Sequence, residues 1–448
     1  MYPVVESAGG TGSTQRLGLR GARHGGDVAL VDGRVEAAGA VEVAPADVVR
    51  RCDGDLVTPG LVNTHHHVSQ WLTRGWAVDQ TLFGWLRTLY PVWARITPED
   101  VEAAAAVAFA ELALSGCTTA SDHTYLVPGG DDSVFDAVAR AAERIGIRLH
   151  LSRGSMDLGE SRGGLPPDSV VEDLDAILAS TVAVHDRLHD GEWVTLTVAP
   201  CSPFSVTREL MAESATLARS LGLRLHTHLA ETLDEERDSL ERFGVRPLEL
   251  LDDLGWVAPD VWFAHGIHFS DDEVARLGAT RTGVAHCPSS NCRLGSGIAR
   301  VRDLVDAGAP VGLGVDGVAS NEVGTLLPEL RQAVSLARQR SLDPTSFGPA
   351  DALALATRGG ADCLGRPDLG ALVPGAPADL VVWPGDDLGD VLDPLAGLVL
   401  GPERRARHVL VAGREVVRDG HLVHADLDEL HRELTRRARR LWPDGPQA

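Results

Sequence analysis

Three consecutive histidines follow an apolar run in the stretch PGLVNTHHHVSQ. Side chains of a strand alternate between its two faces, so His65 and His67 would share one face and His66 the other. Two imidazoles on one face, about 6–7 Å apart along the chain, can bind one metal ion if further ligands converge from elsewhere. The alternative is an exposed polar turn or a tag-like run. A tag, however, would stand at a terminus rather than behind a strand.

A second pair of histidines, His226 and His228, shares one face of the predicted strand in LRLHTHLAE. His228 lies nearer the end of that strand and is the better candidate ligand, whereas His226 fits a core histidine. Glu231 follows His228 by three residues. A carboxylate at that place can carry a proton beside a metal-bound water.

The strand in PVGLGVDG ends in Asp316, and a buried carboxylate there needs a positive partner, which a metal ion would supply. Three imidazoles, one carboxylate and a water form a catalytic zinc or ferrous site with an open position. A structural zinc site would be closed and usually built from cysteines. The six cysteines, at positions 52, 117, 201, 287, 292 and 363, form no CxxC pair.

The elements that position these side chains alternate in type. Apolar strand-like runs lie near residues 57–64, 117–121, 147–152, 193–199, 223–228, 261–265, 282–286 and 311–315. Helical segments separate most of them, and about eight strands in this alternation predict an α/β fold, a (β/α)8 TIM-like barrel. A doubly wound open sheet is the alternative, but no glycine-rich phosphate loop follows the first strand. The first long helix begins after Thr97, an N-cap residue followed by proline and an acid at N3, and ends at Gly116.

Polar residues stand where nearly every one of these strands ends. The strand ends, in order, are His65 and His67, Asp122 and His123, Arg153, Cys201, His228, His265, His286 and Asp316. Barrel enzymes place their catalytic groups at the C-terminal ends of the strands, where the loops converge. The pattern therefore predicts a functional site at this end of the barrel.

Both ends of the chain carry short, valine-rich strands with Asp-Gly and Gly-Arg turns. They predict one small composite β-sandwich domain formed by residues 1–58 and 368–448, around a barrel over residues 59–367. The basic stretch LTRRARRLW predicts the solvent face of a terminal helix.

Composition narrows the classes of function. The formal net charge of −23 disfavours nucleic acid and anionic membranes as partners. All 41 basic residues are arginine, which excludes Schiff-base and phosphate-loop chemistry and any metal pair bridged by a modified lysine. No long apolar run or leader is present and the cysteines form no framework, so a cytoplasmic protein with reduced thiols is expected.

Five stretches, PGLVNTHHH, HTHLAE, AHGIHF, HCPSSN and GVDGVASN, occur in this order and resemble the signatures of the amidohydrolase superfamily. The resemblance covers essentially the whole chain. Within the superfamily, the chain most resembles the mononuclear aminohydrolases of purines, pterins and triazines. The barrel loops, such as LFGWLRTLYPVW and APCSPFSVT, are similar to those of the 8-oxoguanine deaminases. One segment departs from that pattern. Such relatives tend to carry Ser-Ala-Ser-Asn-Asp after the Asp-Gly, whereas this chain has Val-Ala-Ser-Asn-Glu at residues 318–322.

The resemblance implies one divalent metal ion per chain, zinc with iron as the alternative. Its ligands would be His65, His67, His228 and Asp316. In the same pattern Glu231 matches the proton shuttle.

The resemblance also implies roles around the metal. His265 matches the histidine that polarises the metal-bound water, and with Glu231 and Asp316 it would form the catalytic set. Gln70 and Arg153 match positions that contact the heterocycle. Trp85 can supply a stacking face or be packed within its loop.

The reaction expected from the resemblance is hydrolytic deamination at a C–N bond of a cyclic amidine, with 8-oxoguanine giving urate and ammonia. Guanine, isoxanthopterin and s-triazines are alternative substrates for the same residues. A catalytically dead metal-binding scaffold is the alternative from another class, but it should have lost ligands or the shuttle, and the full set is kept. The family habit implies a homodimer.

Overall fold

A computed structural model describes residues 16–22, 25–39, 48–388 and 391–442 of the chain. The strands, in chain order, are β1 (Arg16–Arg20), β2 (Asp27–Val31), β3 (Arg34–Gly39), β4 (Val48–Arg51), β5 (Leu56–Pro59), β6 (Leu61–Asn63), β7 (Cys117–Thr124), β8 (Arg148–Ser155), β9 (Val194–Pro200), β10 (Arg224–Leu229), β11 (Val261–His265), β12 (Gly283–His286), β13 (Val311–Leu313), β14 (Leu380–Trp383), β15 (His408–Val411), β16 (Arg414–Arg418) and β17 (His421–Leu422). The helices are α1 (Leu82–Trp93), α2 (Pro98–Leu114), α3 (Ser133–Ile145), α4 (Leu174–Leu188), α5 (Arg208–Ser220), α6 (Leu233–Phe243), α7 (Pro247–Asp253), α8 (Asp271–Thr280), α9 (Pro288–Arg293), α10 (Val301–Ala307), α11 (Leu326–Ser341), α12 (Pro349–Ala354), α13 (Gly360–Cys363), α14 (Pro394–Leu400) and α15 (Leu427–Leu441). Among the described residues, no helix combines the length and the apolar composition that crossing a membrane requires.

Eight of these strands, β6 to β13, close into a barrel. Each pairs in parallel with the next, and β13 pairs with β6 to complete the circle. Every residue of β7 and β8 is buried, as in parallel sheets whose outer face is covered by helices. The predicted (β/α)8 barrel is confirmed.

The first predicted strand, residues 57–64, is two strands that belong to different sheets. β5 pairs antiparallel with β14 outside the barrel, whereas β6 is a barrel strand. Gly60 separates them, and a Cβ at this position would lie 2.2 Å from Oγ1 of Thr118. The break therefore occurs where only glycine allows the chain to pass so close to β7.

Two further sheets pack against each other beside the barrel, with strand orders β3-β2-β1-β4 and β17-β16-β15-β14-β5. Apolar side chains from both sheets form one common core, which includes Leu19, Val28, Leu30, Val57, Leu380 and Leu410. Because β5 comes from the N-terminal part and pairs with β14, the sandwich is composite, as predicted. The domain boundaries at residues 58 and 367 stay a prediction. Residues 1–15, 23–24, 40–47, 389–390 and 443–448, which that prediction also covers, lie outside the described residues.

The helix α2 begins and ends where the sequence predicts, and α15 is the predicted terminal helix. Thr97 and Asp100 form a capping box at the start of α2, and the chain turns at Gly116 with φ +88°. In α15, Leu430 and Leu434 are buried in the main core. Arg432, Arg436 and Arg439 of this helix are exposed, and Arg437 and Arg440 pair with the buried Asp100 of α2. Local capping and amphipathic spacing were sufficient to define both helices.

Candidate metal centre

The four predicted metal ligands lie together at the C-terminal mouth of the barrel. His65 and His67 follow β6, His228 lies in β10, and Asp316 follows β13. The Nε2 atoms of His67 and His228 are 3.0 Å apart, and Oδ1 of Asp316 lies 3.5 Å and 3.4 Å from Nε2 of His65 and His67. All four side chains are buried. The potential ligand atoms of the three histidines and of His123 lie within 4.8 Å of one another.

The hydrogen bonds of His67 and His228 determine which ring nitrogen carries the hydrogen. Nδ1 of His67 lies 2.8 Å from the carbonyl oxygen of His123, and Nδ1 of His228 lies 2.6 Å from that of Cys201. A carbonyl oxygen can only accept, so both Nδ1 atoms donate and both Nε2 atoms present a lone pair. Two lone pairs therefore face each other at 3.0 Å, an arrangement that a cation between them would stabilise.

His65 has its hydrogen on Nδ1 as well, and the hydrogen bonds of His226 determine this. Nδ1 of His226 donates to the carbonyl oxygen of Trp262, so Nε2 of His226 accepts from Nδ1 of His65 at 2.9 Å. This leaves the buried Nε2 of His65 with a lone pair and no hydrogen-bond partner among the described residues. Burial lowers the pKa of His65, as it does for His67 and His228, so all three rings are neutral. Three neutral imidazoles with inward lone pairs and one carboxylate fit a divalent metal ion.

Both carboxylate oxygens of Asp316 accept hydrogen bonds. Its Oδ2 accepts hydrogen bonds from the hydroxyls of Ser290 at 2.6 Å and Ser320 at 3.3 Å, and its Oδ1 accepts from the N–H of Gly317 at 2.7 Å. These donors stabilise the ionised form of the carboxyl. Asp316 is therefore an ionised acceptor.

Glu231 and His265 lie next to each other beside the candidate ligands. Oε2 of Glu231 is 3.6 Å from Nε2 of His265, and Nδ1 of His265 bonds to Oδ1 of Asn291 at 2.9 Å. Burial raises the pKa of Glu231 to about 7. Burial lowers the pKa of His265, but the carboxylates of Glu231 and Asp316 outweigh it and raise that pKa overall. A carboxyl with a pKa near neutrality can both take and give a proton.

The turn after β10 orients Glu231 by a second carboxylate. Glu235, at the start of α6, accepts the N–H groups of Ala230 at 3.0 Å and of Glu231 at 2.8 Å. Ala230 has φ +54°, a left-handed conformation that an alanine adopts only when its surroundings impose it. The backbone that carries Glu231 is thus fixed.

A small cavity of about 30 Å³ opens above these groups, enough for about two water molecules. Its wall contains His67, Gln70, Leu82, Trp85, Leu86, Tyr90, Tyr125, Cys201, Ser202, Phe204, His228, Glu231, His265, Leu294, Asp316 and Ser320. Gln70 therefore lies where the sequence placed it, and its Oε1 is buried without a partner among the described residues. A Cβ at Gly317 would lie 1.8 Å from that oxygen, so the glycine makes room for the amide.

Trp85 is packed and also lines the cavity, and its role as a stacking face stays a prediction. It lines the cavity, and it is also packed, with its ring 5.2 Å from Trp93 and its Nε1 donating to the carbonyl oxygen of Ala319. Ala319 belongs to the segment, residues 318–322, that departs from the 8-oxoguanine deaminase pattern. This segment therefore supports the wall of the cavity as well as the carboxylate of Asp316 through Ser320.

Arg153 does not line the cavity, contrary to the expectation from the sequence. Its guanidinium donates to Glu172 at 2.8 Å and 3.0 Å and to Ser180 at 3.1 Å, and it lies over the ring of Phe135 in α3. The neighbouring residue Ser152 points into the barrel, and because strand side chains alternate, Arg153 points outward to the helix layer. A residue at a strand end therefore reaches the cavity only if its side chain also points to the inner face of the barrel.

Several wall residues were missed. Tyr125 directly follows β7, so its place at a strand end was a usable signal. The helix α1 folds over the mouth and contributes Leu82, Leu86 and Tyr90. The ring of Phe204 packs on that of Phe83 in the same helix, with their centroids 5.2 Å apart. These contacts join distant loops and leave no local trace in the sequence.

Comparisons with known proteins agree with this geometry. The Amidohydrolase family profile matches residues 56–416. The chain is 50% identical over 415 residues to 8-oxoguanine deaminase of Pseudomonas aeruginosa, covering 90% of this chain and 92% of that protein. It is 35% identical over 445 residues to an isoxanthopterin deaminase of an unknown prokaryotic organism, covering 93% and 92%. The crystal structure of atrazine chlorohydrolase from Arthrobacter aurescens TC1 complexed with zinc superposes with a TM-score of 0.90 at 32% identity, covering 94% of this chain and all of that one.

Proposed function

Because this chain belongs to the amidohydrolase family, we propose that it is a metal-dependent aminohydrolase that converts 8-oxoguanine to urate and ammonia. The substrate rests on the 50% identity to an 8-oxoguanine deaminase over nearly the whole chain. The reaction rests on one geometric observation, the carboxylate of Glu231 beside His265 at the edge of the histidine cluster. Zinc is the proposed metal, supported by the zinc-complexed structural relative.

The donor set defines how a metal would be held. His65, His67, His228 and Asp316 would bind it, with Glu231 close by. A divalent ion in such a site lowers the pKa of a bound water towards about 7 and so supplies a nucleophile at neutral pH.

The residues of the chain then move the protons. Oε2 of Glu231 takes a proton from the attacking water and delivers it to the ring nitrogen beside the amino-bearing carbon, which makes that carbon electrophilic. Nε2 of His265 and the carboxylate of Asp316 hold the water in place. Asp316 or Glu231 then takes the remaining proton from the added hydroxyl and passes it to the amine, which leaves as ammonia, while the oxygen of the water stays on the ring as the new carbonyl.

Substrate recognition is proposed to fall to the cavity wall. The unpartnered amide oxygen of Gln70 can accept a ring N–H, and the face of Trp85 can stack on the heterocycle. A cavity of about 30 Å³ is smaller than a bicyclic base, so the wall is expected to open when the substrate binds.

An ammonia-release screen over purines, pterins and triazines tests this proposal. We expect 8-oxoguanine to have the highest kcat/KM, with guanine and cytosine poor because each lacks part of the hydrogen-bonding pattern. Faster turnover of isoxanthopterin or an aminotriazine would keep the reaction class and replace the substrate. In that case residues 318–322 would be the first place to examine.

Three further expectations from the sequence stay predictions. They are a cytoplasmic location, a homodimer, and a small molecule rather than nucleic acid or a membrane as the partner.

A further inference from the structure

Three consecutive residues of the short helix α9 hydrogen-bond to side chains of three other segments. The N–H of Ser289 donates to Glu329 at 3.0 Å, the hydroxyl of Ser290 donates to Asp316 at 2.6 Å, and Oδ1 of Asn291 accepts from His265 at 2.9 Å. One helix therefore contacts two of the proposed catalytic side chains, one at the end of β11 and one in the loop after β13.

Glu329 is the buried anchor of this helix. It lies in α11, is fully buried, and does not line the cavity. Its Oε2 accepts the N–H of Ser289, and its Oε1 accepts Nδ2 of Asn321 at 2.9 Å. Nδ2 of Asn321 also donates to the carbonyl oxygen of Val315, the residue before Asp316, at 2.6 Å. A single carboxylate thus joins the loop after β12 to the loop after β13.

The two residues whose side chains α9 contacts, His265 and Asp316, both have unusual backbone conformations. His265 has φ +73° and Asp316 has φ +58°, left-handed conformations that L side chains rarely adopt. Such conformations persist only when the surrounding contacts impose them, and they occur often at functional sites. Hydrogen bonds from α9 hold the side chains of both residues.

We propose that Glu329 is a positioning residue that acts through α9 on His265 and Asp316 together. The inference rests on the proposed deamination, because it assigns those two side chains to catalysis. It predicts that a variant altered at Glu329, outside the cavity, loses turnover while it keeps its metal.

Glu329→Gln is the decisive variant. Above pH 7 the ionised Glu329 accepts from two donors, so kcat is measured at pH 8. Glutamine has the same shape but offers one oxygen, and its NH₂ group would face a donor. We expect kcat to fall about 10- to 100-fold, the scale of a misplacement of about 1 Å, with KM within about threefold and one metal per chain retained. Glu415→Gln is the matched control, since Glu415 is a hydrogen-bonded carboxylate in β16 of the accessory sheet. It should keep kcat within about twofold.

A double-variant cycle separates positioning from general stability. If Glu329 acts through α9, combining Glu329→Gln with Ser290→Ala lowers kcat by clearly less than the product of the two single effects. Multiplicative effects, a change in kcat below about threefold, or loss of the metal would each overturn the proposal. If Glu329→Gln fails to fold, Asn321→Ala, which removes the donor to Oε1, is judged by the same criteria.

Cobalt-substituted protein provides a readout that does not depend on the substrate. With one cobalt ion per chain, a displaced Asp316 should change the visible absorption spectrum of Glu329→Gln but not that of Glu415→Gln. A spectrum identical to that of the wild type overturns the proposal. If the wild type deaminates none of the heterocycles, the proposed function fails, and the cobalt spectrum alone decides the role of Glu329.

Discussion

The Nε2 atoms of His67 and His228 lie 3.0 Å apart, and neither carries a hydrogen, because each Nδ1 donates to a backbone carbonyl. Two facing lone pairs repel each other unless a cation lies between them. We therefore expect one divalent ion per chain in the purified protein, measured by elemental analysis. Its removal by a chelator should lower Tm, since a ligand that binds only the folded state stabilises that state.

His228→Ala should lose most of the metal, because it removes one of the two lone pairs. His185→Ala, in the outer helix α4, is the control and should retain one ion. Two ions per chain, or none in a fully active protein, would contradict the single site.

Glu231→Gln should keep the fold and the metal, since Glu235 holds the backbone of residue 231 rather than its side chain. The amide cannot exchange a proton at neutral pH, so we expect kcat to fall by roughly 10²–10⁴, the range for a general acid–base group. Glu236→Gln, in the same helix as Glu235, should leave kcat unchanged. Steady-state assays with matched metal content measure both, and a change below about threefold for Glu231→Gln would remove it from the mechanism.

Arg153→Ala should lower stability and leave substrate preference unchanged. The variant leaves Glu172 as a buried carboxylate without its partner, a loss that typically costs about 3–5 kcal/mol. Tm and the ranking of kcat/KM over the heterocycles measure the two effects separately. A changed ranking at unchanged Tm would return Arg153 to the substrate site.

Glu329 predicts a pH dependence of stability. Burial raises its pKa from 4.5 to about 7 in the folded protein, so between these values the folded state binds more protons than the unfolded state. The stability that this proton provides is complete below about pH 4.5 and is lost as pH rises to about 7, by at most about 3 kcal/mol.

Glu329→Gln removes this titration. The Tm of the variant minus that of the wild type should therefore become more positive between pH 5 and pH 7.5, as measured by thermal unfolding at both values. A difference independent of pH would show that Glu329 does not titrate in this range.

Much of the scaffold could be predicted because its signals are local. Each barrel strand is a short apolar run followed by a polar residue, and that pattern needs no knowledge of the neighbours in space. The start of α2 was predictable for the same reason, since Thr97 and Asp100 satisfy each other within one turn. The convergence of the proposed metal ligands from different strand ends then follows from the architecture of a parallel barrel.

The errors arose where a side chain's direction or sheet depends on distant partners. Arg153 stands at a strand end, but barrel closure turns its face towards Phe135 and Glu172. The run 57–64 is continuous in hydrophobicity, yet Gly60 divides it because β5 pairs with β14, more than 300 positions later in the chain.

The sequence by itself determined the chemical character of the site, because the histidines, Glu231 and Asp316 stand at strand ends whatever the detailed packing. Only the tertiary structure decided the protonation of the ligands and the support of the catalytic groups. The carbonyl that bonds His67 is 56 positions away along the chain and the one that bonds His228 is 27 positions away. Glu329 likewise bonds a residue 40 positions before it. Hydrogen bonds between segments so far apart exist only once the barrel has closed and set the register of its strands.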